Sequence, residues 1–316
     1  MRVKLQRLNA SENLLLGFLI LFSLVIGVFA PAFLTGRNWV FILDAAAITG
    51  IIALGEMVVI ISGGIDISVG AIIVATALVL GSLIVFLGVP PGLAILVTLL
   101  VGLMLGAING LLVGYLRLPA IIVTLATLRI YRGLLEILTP GRAIPPITNS
   151  VPFLAFTKVE TVPLHVFVFA AMAILVGVFL ARTRLGRSIY AVGGNPSAAA
   201  VAGVNLKWVQ LAAYALCGLL ATVGMIMFFA RASFMERYSF SGVEFLCIAV
   251  VVMGGTKITG GSGTVVGTVV GTLLLYAIYN AMLVAQIDPA WQNAVTGALI
   301  LIAVSIYSVL GRQAND

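Results

Sequence analysis

The sequence predicts an all-α polytopic membrane protein of about ten transmembrane helices, some of them broken at glycine-rich segments. Three observations predict it. Of 316 residues, 62% are hydrophobic and 9% charged, with a mean hydropathy of +1.24. A soluble domain carries about 25% charged residues, so no water-facing surface can be built from this chain. Apolar runs near the ~20 residues that cross a bilayer recur along its whole length. The basic residues sit in short hydrophilic connections between those runs, as expected of cytoplasmic loops. That scatter also removes nucleic acid as a partner despite a net charge of +7, because nucleic-acid binding asks for a clustered basic face.

Ten apolar segments can be marked, at 13–34, 39–62, 66–88, 92–116, 119–138, 163–181, 208–230, 241–256, 263–287 and 291–310. In lipid every backbone polar group must be satisfied within the segment, so these are helices and not open strands. Together they make residues 1–316 a single transmembrane domain. The basic start followed by an apolar run imitates a signal peptide. The run from Asn13 to Leu34 is too long for one and lacks a small-residue cleavage site, so it reads as a retained first span. Placing the N-terminus in the cytoplasm puts Arg2, Lys4, Arg7, Arg117, Arg182, Arg184, Arg187, Lys207, Lys257 and Arg312 inside. It leaves Arg37, Arg142, Lys158, Arg231 and Arg237 outside, and both termini cytoplasmic.

Inside the spans, Gly263, Gly267 and Gly271 recur every fourth residue and form a stripe on which another helix can pack closely. Cys217 and Cys247 lie in apolar stretches and read as small packing residues. His165 opens an apolar run with no second ligand nearby and reads as an interfacial residue, so no metal site is expected. Two segments are poor helix formers at membrane depth: "ISGGIDISVG", Ile61 to Gly70, and "MGGTKITGGSG", Met253 to Gly263. Clustered glycines beside a charge suggest interrupted helices, which transporters tolerate where protein or a watery cavity surrounds them. Aligning the two segments places Gly63 on Gly254, Gly64 on Gly255 and Asp66 on Lys257, the trace of an internal repeat. Asp66 and Lys257 then either pair across the repeat or act separately.

Ionisable residues inside spans are functional candidates because each costs at least about 2.5 kcal/mol at the bilayer centre. They are Asp44, Glu56, Asp66, Arg129, Arg132, Glu136 and Glu244. Arg132 and Glu136, four apart, are placed to neutralise one another along one helix face. Glu56 and Glu244 keep an ion-coupled secondary carrier open as the alternative to an ATP-driven machine. No phosphate-cradling G-x-x-x-x-G-K-[ST] string occurs, so any ATPase motor must be another polypeptide. No catalytic constellation of His, Asp or Cys is visible either.

The connection 182–207, "RTRLGRSIYAVGGNPSAAAVAGVNLK", is basic at its start and then small and polar. Asn195 reads as an N-cap and Pro196 as the first helical residue. The short helix reaches about Val201 and is closed by Gly203. Together with "SGGIDISVG", "LPAIIVTLATLRIYRGL" and "VVMGGTKITGGSGTVVGT", this stretch resembles the permease subunits of ribose-type ABC sugar importers, in order from about Ile48 to Ile302. That family also includes rhamnose, polyol and autoinducer-2 permeases and lies close to branched-chain amino-acid permeases.

The resemblance implies the ABC importer permease fold in a bacterial cytoplasmic (inner) membrane. The implied partners are an ABC ATPase that binds ATP and Mg, a solute-binding protein and a second permease chain, with membrane lipid around them and no cofactor in this chain. It implies that Gly194, Asn195, Pro196, Ala199 and Gly203 couple to the ATPase, and that Gly63, Gly64, Asp66 and Ser68 lie near the translocation path. One departure is "RASFMERYSFSGVEFLCIA", where family members more often carry a Gly-rich stretch.

Overall fold

The computed structural model describes residues 2–139, 144, 146–232, 234–236 and 238–313, and only the backbone of residues 2–11, 303, 304 and 306–313. Arg142 and Arg237 lie outside the described residues, as do the side chains of Arg2, Lys4, Arg7 and Arg312. The chain forms α1 (Arg2–Phe29), α2 (Gly36–Ile61), α3 (Val69–Gly81), α4 (Pro91–Gly114) and α5 (Ala120–Leu138). It continues through α6 (Pro152–Phe156), β1 (Lys158–Val159), β2 (Val162–Pro163), α7 (Leu164–Arg182), α8 (Arg184–Gly194) and α9 (Pro196–Val201). It ends with α10 (Leu206–Phe229), α11 (Val243–Met253), α12 (Val265–Val284) and α13 (Trp291–Gln313).

Ten of these helices fall on the ten expected apolar segments. Among the described residues seven are long and apolar enough to cross a membrane on length and composition alone, α3 doing so together with the π-helical turn that continues it to Phe86. The other three are α5, α11 and α13. Arg129, Arg132 and Glu136 lower the hydropathy of α5, and α11 has only 11 residues, about 16 Å of helix. Successive spans run in opposite directions. One end of the bundle, called lower here, carries α8, α9 and the two glycine-rich turns; the upper end carries β1 and β2.

The core is α2. Its residues from Gly50 to Ile61 are all buried, sheathed by α7, α10, α11 and α12. A helix that is apolar all round belongs in such a position. Thr35, Thr183, Asn205 and Thr264 cap helices by accepting the N–H groups of Asn38, Gly186, Trp208 and Gly267. The most extensive helix pair is α4 with α10. Here α4 presents Gly102, Gly106, Gly110 and Gly114 to the backbone of Lys207, Gln210, Leu211, Tyr214 and Gly218. The stripe that was expected, Gly263, Gly267 and Gly271, packs on Thr256, Gly254 and Val250 at the lower end of α11. Cys217 and Cys247 are buried packing residues of α10 and α11.

The connection between α5 and α7, on which the sequence carried no expectation, holds α6 and the antiparallel β1–β2 ribbon, with Lys158 opposite Pro163. The structure corrects several expectations. The basic start of the 182–207 segment is itself a helix, α8. Arg132 and Glu136 do not neutralise one another. The segment after α10 folds back over α5 and supplies hydroxyls instead: Arg132 Nη1 donates to Ser241 Oγ at 2.6 Å, and Tyr238 donates to Glu136 Oε1 at 2.7 Å. His165, expected as an interfacial residue, is not exposed. It is buried, with Nε2 2.6 Å from Asp44 Oδ1, because α7 begins directly against the upper part of α2.

Candidate functional site

The site grows from the way α2 ends. Ser62 takes the C-cap and Gly63 follows at φ 90°, a left-handed conformation that favours glycine. The N–H of Gly63 donates to Ile60 O at 2.9 Å and that of Gly64 to Val59 O at 3.1 Å, a Schellman closure. The end of α11 is built alike. Gly255 stands at φ 91°, its N–H donates to Val252 O at 2.9 Å, and Thr256 N–H donates to Val251 O at 3.2 Å.

The two breaks are therefore equivalent, but in a register one residue away from the glycine-on-glycine alignment. Gly63 corresponds to Gly255, which puts Asp66 on Ile258 and not on Lys257. Positive φ, not glycine count, sets the match. The possible Asp66–Lys257 pair is not made: Asp66 is fully buried and Lys257 is exposed.

Asp66 is held instead by local and neighbouring donors. Its Oδ1 accepts Ser68 N–H at 2.9 Å and Ser68 Oγ at 2.6 Å, an Asx turn that feeds the chain into α3. Asn109 of α4 donates Nδ2 to Ser68 Oγ at 2.8 Å and lies 3.4 Å from both Asp66 oxygens. Asp66 N–H donates to Glu56 Oε1 at 3.0 Å, and Cys217 Sγ is 3.9 Å from Glu56 Oε2. In the first turn of α11, Glu244 is buried and its Oε2 has no hydrogen-bond partner among the described residues. Three buried carboxylates thus line the interior without a basic side chain at ion-pair distance among the described residues.

The lower turns converge on α8. Gly193 packs so tightly on Ile61 O and Gly261 N that no Cβ fits, while Gly260 lies against Gly63. Gly261 N–H donates to Ile61 O at 2.9 Å, and Tyr190 donates to Gly263 O at 2.9 Å. Three chain segments therefore meet backbone to backbone.

The helix α9 follows after one residue. Asn195 Oδ1 accepts Ala198 N–H at 2.9 Å and Pro196 opens the helix. Gly203, at φ 80°, closes it, with Val204 N–H on Ala199 O at 3.0 Å. Both caps stand where the sequence placed them. Ala199 does not stand as a free docking contact. It is buried on the inner side of α9, whereas Ala198 is exposed and Val201 is 91% exposed.

A cleft of about 800 Å³ opens between α9 and the lower ends of α4 and α10, lined among others by Gly63, Gly194, Pro196, Arg117, Lys207 and Gln210. It joins members of the two candidate sets. Gly63 meets Gly194 and Pro196 there, while Asp66 and Ser68 sit buried behind it. Gln210 Nε2 ties the cleft to the α2 turn by donating to Ser62 O at 2.9 Å. Gln210, Asn109, Gly193 and Gly260 are site residues that the sequence reading missed. Of these Gly193, inside the "GGN" string, and Gly260, inside "MGGTKITGGSG", carried a local signal.

A ten-helix bundle with two glycine-closed breaks and a short capped helix at one end is a multi-pass membrane transport protein of the permease class. The chain belongs to the family described as branched-chain amino acid transport system / permease component, whose model matches residues 38–304. It is 33% identical over 299 residues to the ribose import permease protein RbsC of Escherichia coli K12, covering 93% of this chain and 92% of that one. Against the ribose import permease protein RbsC of Bacillus subtilis it is 36% identical over 291 residues, covering 91% and 90%. Against the autoinducer 2 import system permease protein LsrC of Yersinia enterocolitica it is 33% identical over 303 residues, covering 95% and 82%. No solved structure matches the chain.

Proposed function

We propose that this chain is the membrane-spanning subunit of an ATP-driven importer that moves a small sugar or sugar-like solute inward across a bacterial cytoplasmic membrane. The observation that carries the reading is identity of 33–36% to ribose import permeases over about nine-tenths of both chains. A separate ATPase binds ATP and Mg and docks on α9, a solute-binding protein loads the opposite face, and two permease chains stand side by side. The exposed, capped α9 supports the docking. Alternating access follows if ATPase closure pushes α9 and, through the glycine seam, the turns that end α2 and α11.

The autoinducer 2 permease is as similar as one of the ribose permeases, so a furanose-like signal is a second solute within the same reading. The buried Glu56, Asp66 and Glu244 favour an ion-coupled carrier as the reading from another class. The test is uptake in vesicles that carry the chain with and without an ATPase and a binding protein. Uptake that needs both partners and ATP hydrolysis supports the proposal. Uptake by the chain alone, driven by an ion gradient, defeats it.

Two further outcomes follow. Val201→Arg places charge on the outer face of α9 and is expected to cut ATP-driven uptake about tenfold or more, as loss of an interface hot spot does. Ala199→Arg must instead force a charge into the packed side of α9 and should lower protein yield, so comparing yield with uptake separates the two faces. With both termini in the cytoplasm, Ser197→Cys in a background lacking Cys217 and Cys247 should resist an impermeant thiol reagent in intact cells. Rapid labelling there would invert the orientation.

A further inference from the structure

At the end of the bundle opposite α9, a second cleft of about 460 Å³ is cut into the upper part of α2, within the range of small-molecule sites. Its lining mixes one ion pair with aromatic rings. Arg231 Nη1 lies 2.9 Å from Asp44 Oδ1, and His165 Nε2 lies 2.6 Å from the same oxygen. Phe228 and Phe240 meet edge to face with centroids 4.8 Å apart, and Tyr276 is hydrogen-bonded to Thr49 at 2.5 Å. Both ion-pair contacts fall on Asp44 Oδ1, which leaves Oδ2 as an acceptor. On the arginine side they use Nη1, so the rest of the donor fork is not consumed by them. Asp44 is 26% and Arg231 38% exposed, so both are reachable from the cleft.

We infer that this cleft is a solute site for a monosaccharide or similar polyol, contacted by Asp44, Arg231, Phe228, Phe240 and Tyr276. The inference rests on the transport reading above and adds a place and a chemistry to it. Vicinal hydroxyls both donate and accept, so one ligand edge can satisfy Asp44 Oδ2 and the arginine fork together. The C–H face of a sugar ring is apolar enough to lie on aromatic rings, which supply large contact area at fixed geometry. The alternative is a zwitterionic amino acid. It needs a carboxylate and a cation held apart from one another, and here Arg231 Nη1 and Asp44 Oδ1 stand 2.9 Å apart.

The test uses the reconstituted full chain carrying Ala45→Cys, a cleft residue, and follows the rate at which a charged thiol reagent labels it. High-millimolar D-ribose, L-rhamnose or myo-inositol is expected to slow labelling about tenfold, the factor of a nearly saturated weak site. Asp44→Asn should abolish that protection. Because Asp44→Asn also weakens the ion pair that joins α2 to the segment after α10, Ile48→Trp serves as the second variant: it fills the cleft and leaves Asp44 and Arg231 intact. Protection by L-leucine in place of the polyols, or by none of these solutes, overturns the site. Sugar uptake at the wild-type rate in both variants overturns the site and leaves the transport reading standing. A chain that imports no sugar but is still protected by one keeps the site and defeats the transport reading.

Discussion

Gly106→Leu is expected to leave little folded protein after extraction in mild detergent. A Cβ at that position would already meet the carbonyl carbon of Tyr214 at 3.0 Å and the amide nitrogen of Gly218 at 3.1 Å. These are backbone atoms of α10 and cannot turn aside as a side chain could. The whole isobutyl group has to be placed by pushing apart the most extensive helix pair in the bundle. Overpacking of a well-filled interior costs about 1–3 kcal/mol when side chains can adjust and more when they cannot. Total stability is only about 5–15 kcal/mol. The control is Gly133→Leu on α5, where nothing lies within 4 Å of the added atom, and it should behave as wild type. Size-exclusion profiles and thermal midpoints of the two variants decide the matter. Equal loss in both would mean that the seam between α4 and α10 has no special standing.

The second large effect belongs to Asp66. Asp66→Ala removes the acceptor shared by Ser68 N–H, Ser68 Oγ and Asn109 Nδ2 in a fully buried place. Each buried donor left unpaired costs about 1–3 kcal/mol. The turn from α2 into α3 should loosen, with a lower thermal midpoint. The informative measurement is a pair of double-mutant cycles. Asp66→Ala with Asn109→Ala should be less damaging than the sum, with a coupling of about 0.5–3 kcal/mol, because the two side chains share one network. Asp66→Ala with Lys257→Gln should add to within about 0.5 kcal/mol, because those residues do not touch. Strong coupling to Lys257 and none to Asn109 would reverse this account of the turn.

Much of the fold was legible because the bilayer imposes it. A run such as 92–116, apolar and about the length of a span, has few alternatives, and α4 formed where it was marked. The caps of α9 were legible for a different reason. Asn195, Pro196 and Gly203 each encode a local backbone geometry that needs no tertiary partner. The stripe from Gly102 to Gly114 was also written in the sequence, with the same four-residue spacing as Gly263, Gly267 and Gly271, and it was overlooked beside the glycine clusters.

Other features could not have been read. Asp44, His165 and Arg231 are separated by 121 and 66 positions, and only the packing of α7 and α10 on α2 brings them together. The register of the two breaks escaped because "GG" in each string looks alike, whereas just one glycine of each pair carries positive φ. Ala199 was assigned to a partner by the family resemblance, and its small side chain fits a docking face. Small residues suit burial against one's own neighbours equally well, and periodicity over six residues cannot tell the two faces apart.

The seam where Gly193, Gly63, Gly260 and Gly261 meet has a mechanical consequence. Side chains act as springs, since a displaced helix first spends its motion on rotamer changes in the residues between it and its neighbour. Here there are none to absorb it. The backbone of α8 touches the turn that ends α2 and the turn that follows α11, and the Gly261 N–H bond to Ile61 O fastens those two turns together. Close-packed backbone transmits strain with little compliance. One residue, Asn195, separates α8 from α9. Any load taken up by α9 therefore arrives at both broken helices at once and nearly undamped, and the pair must shift as a single stiff body or not at all.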